Sequence, residues 1–409
     1  MNIRKIEIND NEEYCKLQFR AYPSMRFSSK AEWEDYLERT QKSLESKEFT
    51  IYGSFNDKHL VGSLMLYHYQ INYLGEWLPA VGIGSVAVDL LHKREHICRE
   101  MMAWAEETML TSQVPLGFLF PFRPPFYVPM GYGYGPLLYH YEIDPSQIPN
   151  QGDKSKIIYL TKKDIPLIRD FENRLSKNMH GYIQKQDREL NDYFDRLSWQ
   201  KIGYLKDNQL KGWMVFNTKQ PDPKNFLRNH LYIYEWWTVS SEVRQSFLSF
   251  LHSQKDQYEK VVYHTVDASL IHVIKDPRDD MQKLVPPFIS HPVGQISTSI
   301  FYSVLDPQRL MQKIISYKGK SNVVPFDWEI QKPFPQEHIV KVSWSEEGQV
   351  YQDKPIISAT QSIASSILMG ALTLNQAVTW NLATVKPMNK LAELDSFLSL
   401  PIPYGTPNC

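Results

Sequence analysis

The sequence predicts an α+β (α/β) chain built from two related strand–turn–helix–strand units and a smaller α+β unit after them. Three observations predict it. Residues 81–122 pass from an alternating apolar run (VGIGSVAV) through a turn into a helix-period segment and back to an apolar run, LGFLFPF. Residues 231–266 repeat that order, which suggests two units of one kind. Two polar, proline-bearing stretches, DPSQIPNQGDKSK (144–156) and DPRDDMQKLVPPFISHP (276–292), read as boundaries, giving domains 1–150, 151–292 and 293–409.

Taken in order, FTIYGSF (49–55) and the long run 60–88 read as successive strands with a turn between them. From Glu95 to Leu110, Ile97, Met101, Trp104, Ala105 and Thr108 recur at helical spacing and place one face on a core. Strands follow at 116–122 and 134–143. In the second unit, 231–254 is a strand, a short turn and a helix with Val243, Phe247, Phe250 and Leu251 on one face. Ser240 is placed to cap that helix, and YEKVVYHTV (258–266) is the next strand. Beyond Gln295, SIFYSVL and HIVKVSW read as strands, and DPQRLMQKI and ATQSIASSILMG as helices. The apolar stretch 362–374 is short and dotted with Ser and Thr, so it reads as a buried helix and turn.

Composition narrows the function classes. Lys plus Arg (45) balances Asp plus Glu (46), so no overall field attracts a polyanion and no nucleic-acid partner is expected. Cys15, Cys98 and Cys409 are too dispersed for a disulfide scaffold or a zinc site; no metal is expected. The opening MNIRKIEIND lacks the apolar run of a signal peptide. The expectation is a cytoplasmic protein with no membrane partner.

The turn HKREHICRE (92–100) carries the functional question. A helix N-terminus offers convergent N–H groups and a favourable dipole to a pyrophosphate, and Lys93, Arg94 and Arg99 add positive charge. Val86 to Val88 could leave strand groups unpaired for an extended arm. The plainer alternative is a solvated connection, with Glu95 a first-turn acid.

VAVDLLHKREHICREMM (86–102), followed by PFYVPMGYGYG (125–135), resembles the acetyl-CoA motif and tyrosine loop of GNAT-superfamily N-acetyltransferases, above all the enhanced intracellular survival (Eis) family. That resemblance implies two tandem GNAT domains, the second degenerate, and a sterol-carrier-protein-like C-terminal domain. It implies acetyl-CoA as co-substrate: Val86, Ala87 and Val88 along the pantetheine arm, Arg94, Glu95, His96, Ile97, Cys98 and Arg99 around the pyrophosphate, Phe122 and Arg123 on the far side. It also implies an amine acceptor (aminoglycoside, polyamine-like or lysine) and a homo-oligomer, a hexamer or a trimer. Two residues depart from the family's turn: Glu95 stands where an arginine is expected and His96 where a glycine is. A carboxylate about 6 Å from a phosphate charge costs roughly 3 kcal/mol at an effective dielectric of 20, so the expectation is a weakened site.

By the same resemblance Tyr127 is the general acid that protonates the leaving thiolate, and the carboxylate of the terminal residue, Cys409, is the base. His92 and His96 are the alternative bases. Tyr132 and Tyr134 read as packing residues beside a glycine-rich turn. The competing reading is a binding or scaffold protein whose cofactor site is lost and whose third domain holds a lipid or a partner.

Overall fold

The computed structural model describes residues 2–278, 291–319, 324–344 and 353–405. In chain order the elements are β1 (Asn2–Lys5), α1 (Asn11–Ala21), α2 (Lys30–Ser43), β2 (Phe49–Asn56), β3 (His59–Tyr73), β4 (Glu76–Val88), α3 (Ile97–Thr111), β5 (Leu116–Leu119), α4 (Pro124–Tyr127) and β6 (Gly133–Tyr134). Then come β7 (Leu137–Ile143), β8 (Ile157–Tyr159), α5 (Ile165–Leu175), α6 (Asp187–Asp195), β9 (Trp199–Lys206), β10 (Gln209–Lys219), β11 (His230–Thr238), α7 (Ser241–His252), β12 (Lys260–Thr265) and β13 (Gln295–Thr298). The last are β14 (Phe301–Val304), α8 (Pro307–Lys318), β15 (Phe326–Lys332), β16 (His338–Trp344), β17 (Ile356–Thr360), α9 (Gln361–Leu368), α10 (Leu374–Thr379), β18 (Ala383–Lys386) and α11 (Leu391–Leu398).

The chain divides into two compact units, Met1–Gly135 with Ile300–Pro403, and Pro136–Ser299 with Tyr404–Cys409. The first unit holds a seven-stranded sheet in the order β1-β2-β3-β4-β5-β14-β6 and a four-stranded sheet, β16-β15-β17-β18. The second holds a seven-stranded sheet, β13-β7-β12-β11-β10-β9-β8. The first large sheet takes in a strand from far along the chain, β14, while the second is built wholly from residues 137–298. β14 lies antiparallel to β5 in the first, and β7 lies antiparallel to β12 in the second.

In the first unit the apolar face of α3 (Ile97, Met101, Met102, Ala105, Met109) is buried on β3 and β4 with Val61, Leu64 and Ile83. Each of the larger side chains of α3, the Ile and the three Met, contributes about 1.5–3 kcal/mol. α9, also in this unit, packs so closely on β6 that a Cβ on Gly133 would come within 1.9 Å of the Ser362 carbonyl oxygen. Ser366 Oγ donates to the Tyr134 carbonyl (2.9 Å), and Ser365 Oγ accepts from the Val304 N–H (2.9 Å). The serines that kept 362–374 from reading as a membrane span are thus the polar ties of a buried helix. Among the described residues no helix is long and apolar enough to cross a membrane.

Candidate active site

The strands of the first unit open a cleft. β4 and β5 pair in parallel only from Ala80 to Gly82 and from Leu116 to Phe118. β4 then runs six residues further, to Val88, paired with β3 alone. Its register against β3 slips between Ser63 and Met65, which makes a bulge at Ser85 and Val86, and Ser85 takes a left-handed φ of 49°. A bulge on a strand that has lost one neighbour leaves backbone groups with no ladder partner, which is what an extended pantetheine-like arm requires.

Helix α1 braces this bulge. Tyr22 Oη donates to the Val86 carbonyl at 2.9 Å, and Gln18 Nε2 donates to Ser63 Oγ (2.9 Å) and to the Ser85 carbonyl (3.4 Å). Two outward carbonyls are thereby held by side chains. No sequence motif marks Gln18 and Tyr22. Their only sequence signal is the apolar period of 11–22, which does not tell a brace from packing.

Past the bulge, Asp89 accepts from the Leu91 N–H (3.0 Å) and pairs with Arg20 (2.7 Å), anchoring the start of the turn. Arg94 and His96 both take left-handed φ, 72° and 61°, and His96 immediately precedes α3 without a capping hydrogen bond from its side chain. The first intrahelical bond is from the Glu100 N–H to the His96 carbonyl, 3.0 Å. The N–H groups of Ile97, Cys98 and Arg99 therefore open the helix, on the positive end of its dipole.

The side chains of the turn are less uniform than its sequence suggests. Lys93 and Arg94 are exposed. Glu95 Oε2 lies 2.9 Å from His92 Nδ1, so the acid at the expected arginine position is held by an imidazole and faces solvent. Arg99 points elsewhere: Nη2 donates to the Pro333 carbonyl (3.0 Å) and its guanidinium lies over the Phe334 ring (5.0 Å). It contributes its N–H to the helix start and its charge to the β15 end of the same unit.

Tyr127 closes α4 and is 4% exposed. Its ring meets Phe122, Phe126 and Tyr132 edge-on, at 6.2, 5.1 and 6.3 Å. Burial, then the Cys98 thiol and the Tyr22 phenol, push its pKa well above the ordinary tyrosine value. The Cys98 thiol is itself pushed up to about 12 by burial. A thiol held protonated is a poor nucleophile, whereas a phenol held protonated can donate. Phe122 is 74% exposed, and it and the exposed Arg123 form the lip beside Tyr127. Tyr132 is fully buried and the Tyr134 ring lies tilted against Phe301 at 4.4 Å, both as packing groups. Cys409 lies outside the described residues. Among those residues no group of three His, Cys, Asp or Glu side chains is placed to hold a metal.

A strand that outruns its parallel neighbour, a bulge and an open helix N-terminus together offer unpaired donors to an anionic, extended ligand. Family comparison agrees. The profile of an acetyltransferase (GNAT) domain matches residues 2–135, and that of a second acetyltransferase (GNAT) domain matches residues 181–291. The chain is a tandem GNAT acetyltransferase. Among solved structures it resembles Eis1 from Mycobacterium abscessus over 100% of both chains, with 15% identity and a TM-score of 0.76. GCN5-related N-acetyltransferases from Anabaena variabilis (TM-score 0.75, 14% identity, 98% of each chain) and Kribbella flavida (TM-score 0.73, 14% identity, 98% of this chain and 97% of that one) share the fold equally. No curated protein matches the sequence. This GNAT acyltransferase therefore has the architecture of the Eis proteins, with the second GNAT domain in the second unit.

Proposed function

We propose that this GNAT protein transfers an acetyl group from acetyl-CoA directly to a primary amine, of the aminoglycoside, polyamine-like or lysine type, within a ternary complex. One observation supports it above the others. The braced bulge at Ser85–Val86, the open N-terminus of α3 and the buried Tyr127 phenol belong to one hydrogen-bonded and electrostatically coupled neighbourhood. The residues fit acetyl-CoA: Val86 to Val88 offer an unpaired strand edge to the pantetheine, and the N–H groups of Ile97, Cys98 and Arg99 offer donors to the pyrophosphate, with Lys93 and Arg94 adding charge. Phe122 and Arg123 would flank the acyl end.

In this reading a backbone N–H near Val86 polarises the thioester carbonyl, and Tyr127 gives its proton to the departing sulfur. The acceptor amine gives up its proton to a base as it attacks the thioester. His92 and His96 are the candidate bases: with Nδ1–H donating to Glu95, His92 keeps Nε2 free to take a proton. The four-stranded sheet with α8 to α11 we read as the sterol-carrier-like layer, and the whole as a homo-oligomer.

Steady-state kinetics of Tyr127→Phe test the assignment. The variant should lose about a hundredfold or more in kcat, the usual worth of a general acid, with KM for acetyl-CoA nearly unchanged. Intact turnover refutes the role of Tyr127. Wild-type protein that shows no thermal shift with millimolar acetyl-CoA refutes the site.

A further inference from the structure

The second unit contains a cavity of about 240 Å³ that acetyl transfer, as read above, does not use. It lies beside the outer ends of β11 and β12, walled by Trp236, Trp237, Tyr263 and Tyr404. The walls are fixed. Trp237 Nε1 donates to the buried Glu235, the Tyr404 N–H donates to the His180 carbonyl (2.6 Å), and the Trp237 and Tyr404 rings lie 5.0 Å apart. The volume equals about eight waters and falls below the roughly 300 Å³ at which drug-sized pockets begin. A coenzyme or an oligosaccharide is too large for it.

Two opposite charges line this cavity. Asp267 Oδ1 accepts from the Ser269 N–H (2.8 Å) and Oγ (2.5 Å), which orients the carboxylate and leaves Oδ2 without a hydrogen-bond partner among the described residues. Arg244 reaches only Thr238 Oγ1, by Nε at 3.4 Å, and pairs with no carboxylate among those residues. Both charges are felt at the Tyr404 phenol, with opposite sign. A purely cationic guest would meet Arg244 and a purely anionic one Asp267, each at a cost in a site with low-dielectric walls. A guest carrying both charges satisfies both.

We propose that this cavity binds a free α-amino acid with an aromatic side chain. Asp267 takes the ammonium, Arg244 the carboxylate, and the Trp and Tyr walls the ring. Isothermal titration of the full-length protein with L-phenylalanine, phenethylamine (no carboxylate) and 3-phenylpropionate (no ammonium) tests it. L-Phenylalanine should bind one to one with a Kd of about 1 mM or below, and each analogue at least about tenfold more weakly. Asp267→Asn keeps the capping oxygen and therefore the local fold. It should weaken L-phenylalanine about tenfold and tighten 3-phenylpropionate, whose carboxylate no longer meets a like charge. Arg244→Gln should do the same to L-phenylalanine and tighten phenethylamine, for the same reason with the signs reversed. KM for acetyl-CoA should not move in either variant. No heat with L-phenylalanine overturns the proposal, as does phenethylamine binding equally well or indifference to both substitutions.

Discussion

Glu106 carries the most quantitative prediction. It lies on α3, 5% exposed, and accepts from Ser303 Oγ on β14 at 3.2 Å; Gln361 Nε2 in turn donates to Ser303 Oγ at 2.9 Å. Burial raises its pKa from 4.5 to about 7, although Lys332, Ser303 and Gln361 pull it down. The native state therefore holds a proton that the unfolded chain releases between pH 4.5 and 7. Stability falls as pH rises through that window, since the native form then binds more protons than the unfolded one. A shift of this size is worth about 3 kcal/mol, at about 1.36 kcal/mol per unit. Glutamine stands in for the protonated carboxyl and leaves Lys332's attraction already counted. Glu106→Gln should match wild type near pH 4.5 and exceed it by up to about 3 kcal/mol above pH 7.5. Amide hydrogen exchange of α3 and β14, followed from pH 5 to 8.5 in both proteins, measures the difference locally without assuming that a multidomain chain unfolds in one step. A difference that does not change with pH, or a variant less protected at pH 8, refutes the reasoning.

Three further substitutions probe the cleft. His96→Gly removes a left-handed non-glycine residue at the start of α3; it should stabilise the protein by about 1 kcal/mol and lower KM for acetyl-CoA, both read from melting curves and kinetics. Glu95→Arg should lower that KM about tenfold at low ionic strength and by much less at high salt, because the charge is exposed and screened; a salt-independent change would mean a steric effect. Tyr22→Phe leaves the Val86 carbonyl without its donor. It should lower kcat/KM several-fold, the scale of one hydrogen bond, with the circular dichroism spectrum unchanged.

The strand–turn–helix unit was legible because periodicity reports burial. Residues 95–110 mark α3 to within two residues at its start, and the run 60–88, read without an internal turn, is split between Tyr73 and Glu76 into β3 and β4. Ser240 caps α7 as its position suggested, accepting from the Val243 N–H at 3.4 Å. The strand forecast over 134–143 is broken at Gly135 and Pro136 into β6 and β7, which lie in different sheets. Strand exchange of this kind leaves no local mark, because β7 and β14 carry the same apolar residues whichever sheet they join. Helices α1 and α2 have weaker signals: α2 buries only Thr40, and α1 buries five residues but two of them, Asn11 and Gln18, are polar. At the site, the turn could be located but not its side-chain directions. The His92–Glu95 contact spans three residues, yet the capture of Arg99 by Pro333 spans 234 and has no pattern to betray it.

The two GNAT domains differ at the helix terminus that, at α3, is proposed to take the phosphates. In the second unit β11 and β12 also pair in parallel only briefly, from His230 to Ile233, and β11 also carries an irregularity against β10, beside Tyr234. The strand geometry is thus repeated. What differs is the helix that follows. Ser240 occupies the N-cap of α7 and its hydroxyl takes the Val243 N–H, so a phosphate would have to displace a bond worth about 1 kcal/mol. The first-turn acid, Glu242, adds a negative charge, balanced there by Lys206. At α3 the residue before the helix offers no acceptor, and the donors stay open. Replacing a capping serine by an uncapped left-handed residue costs the helix stability, and only a ligand that supplies the missing acceptor returns it. The strain at His96 is therefore better explained by an anion binding at α3 than by a plain connection.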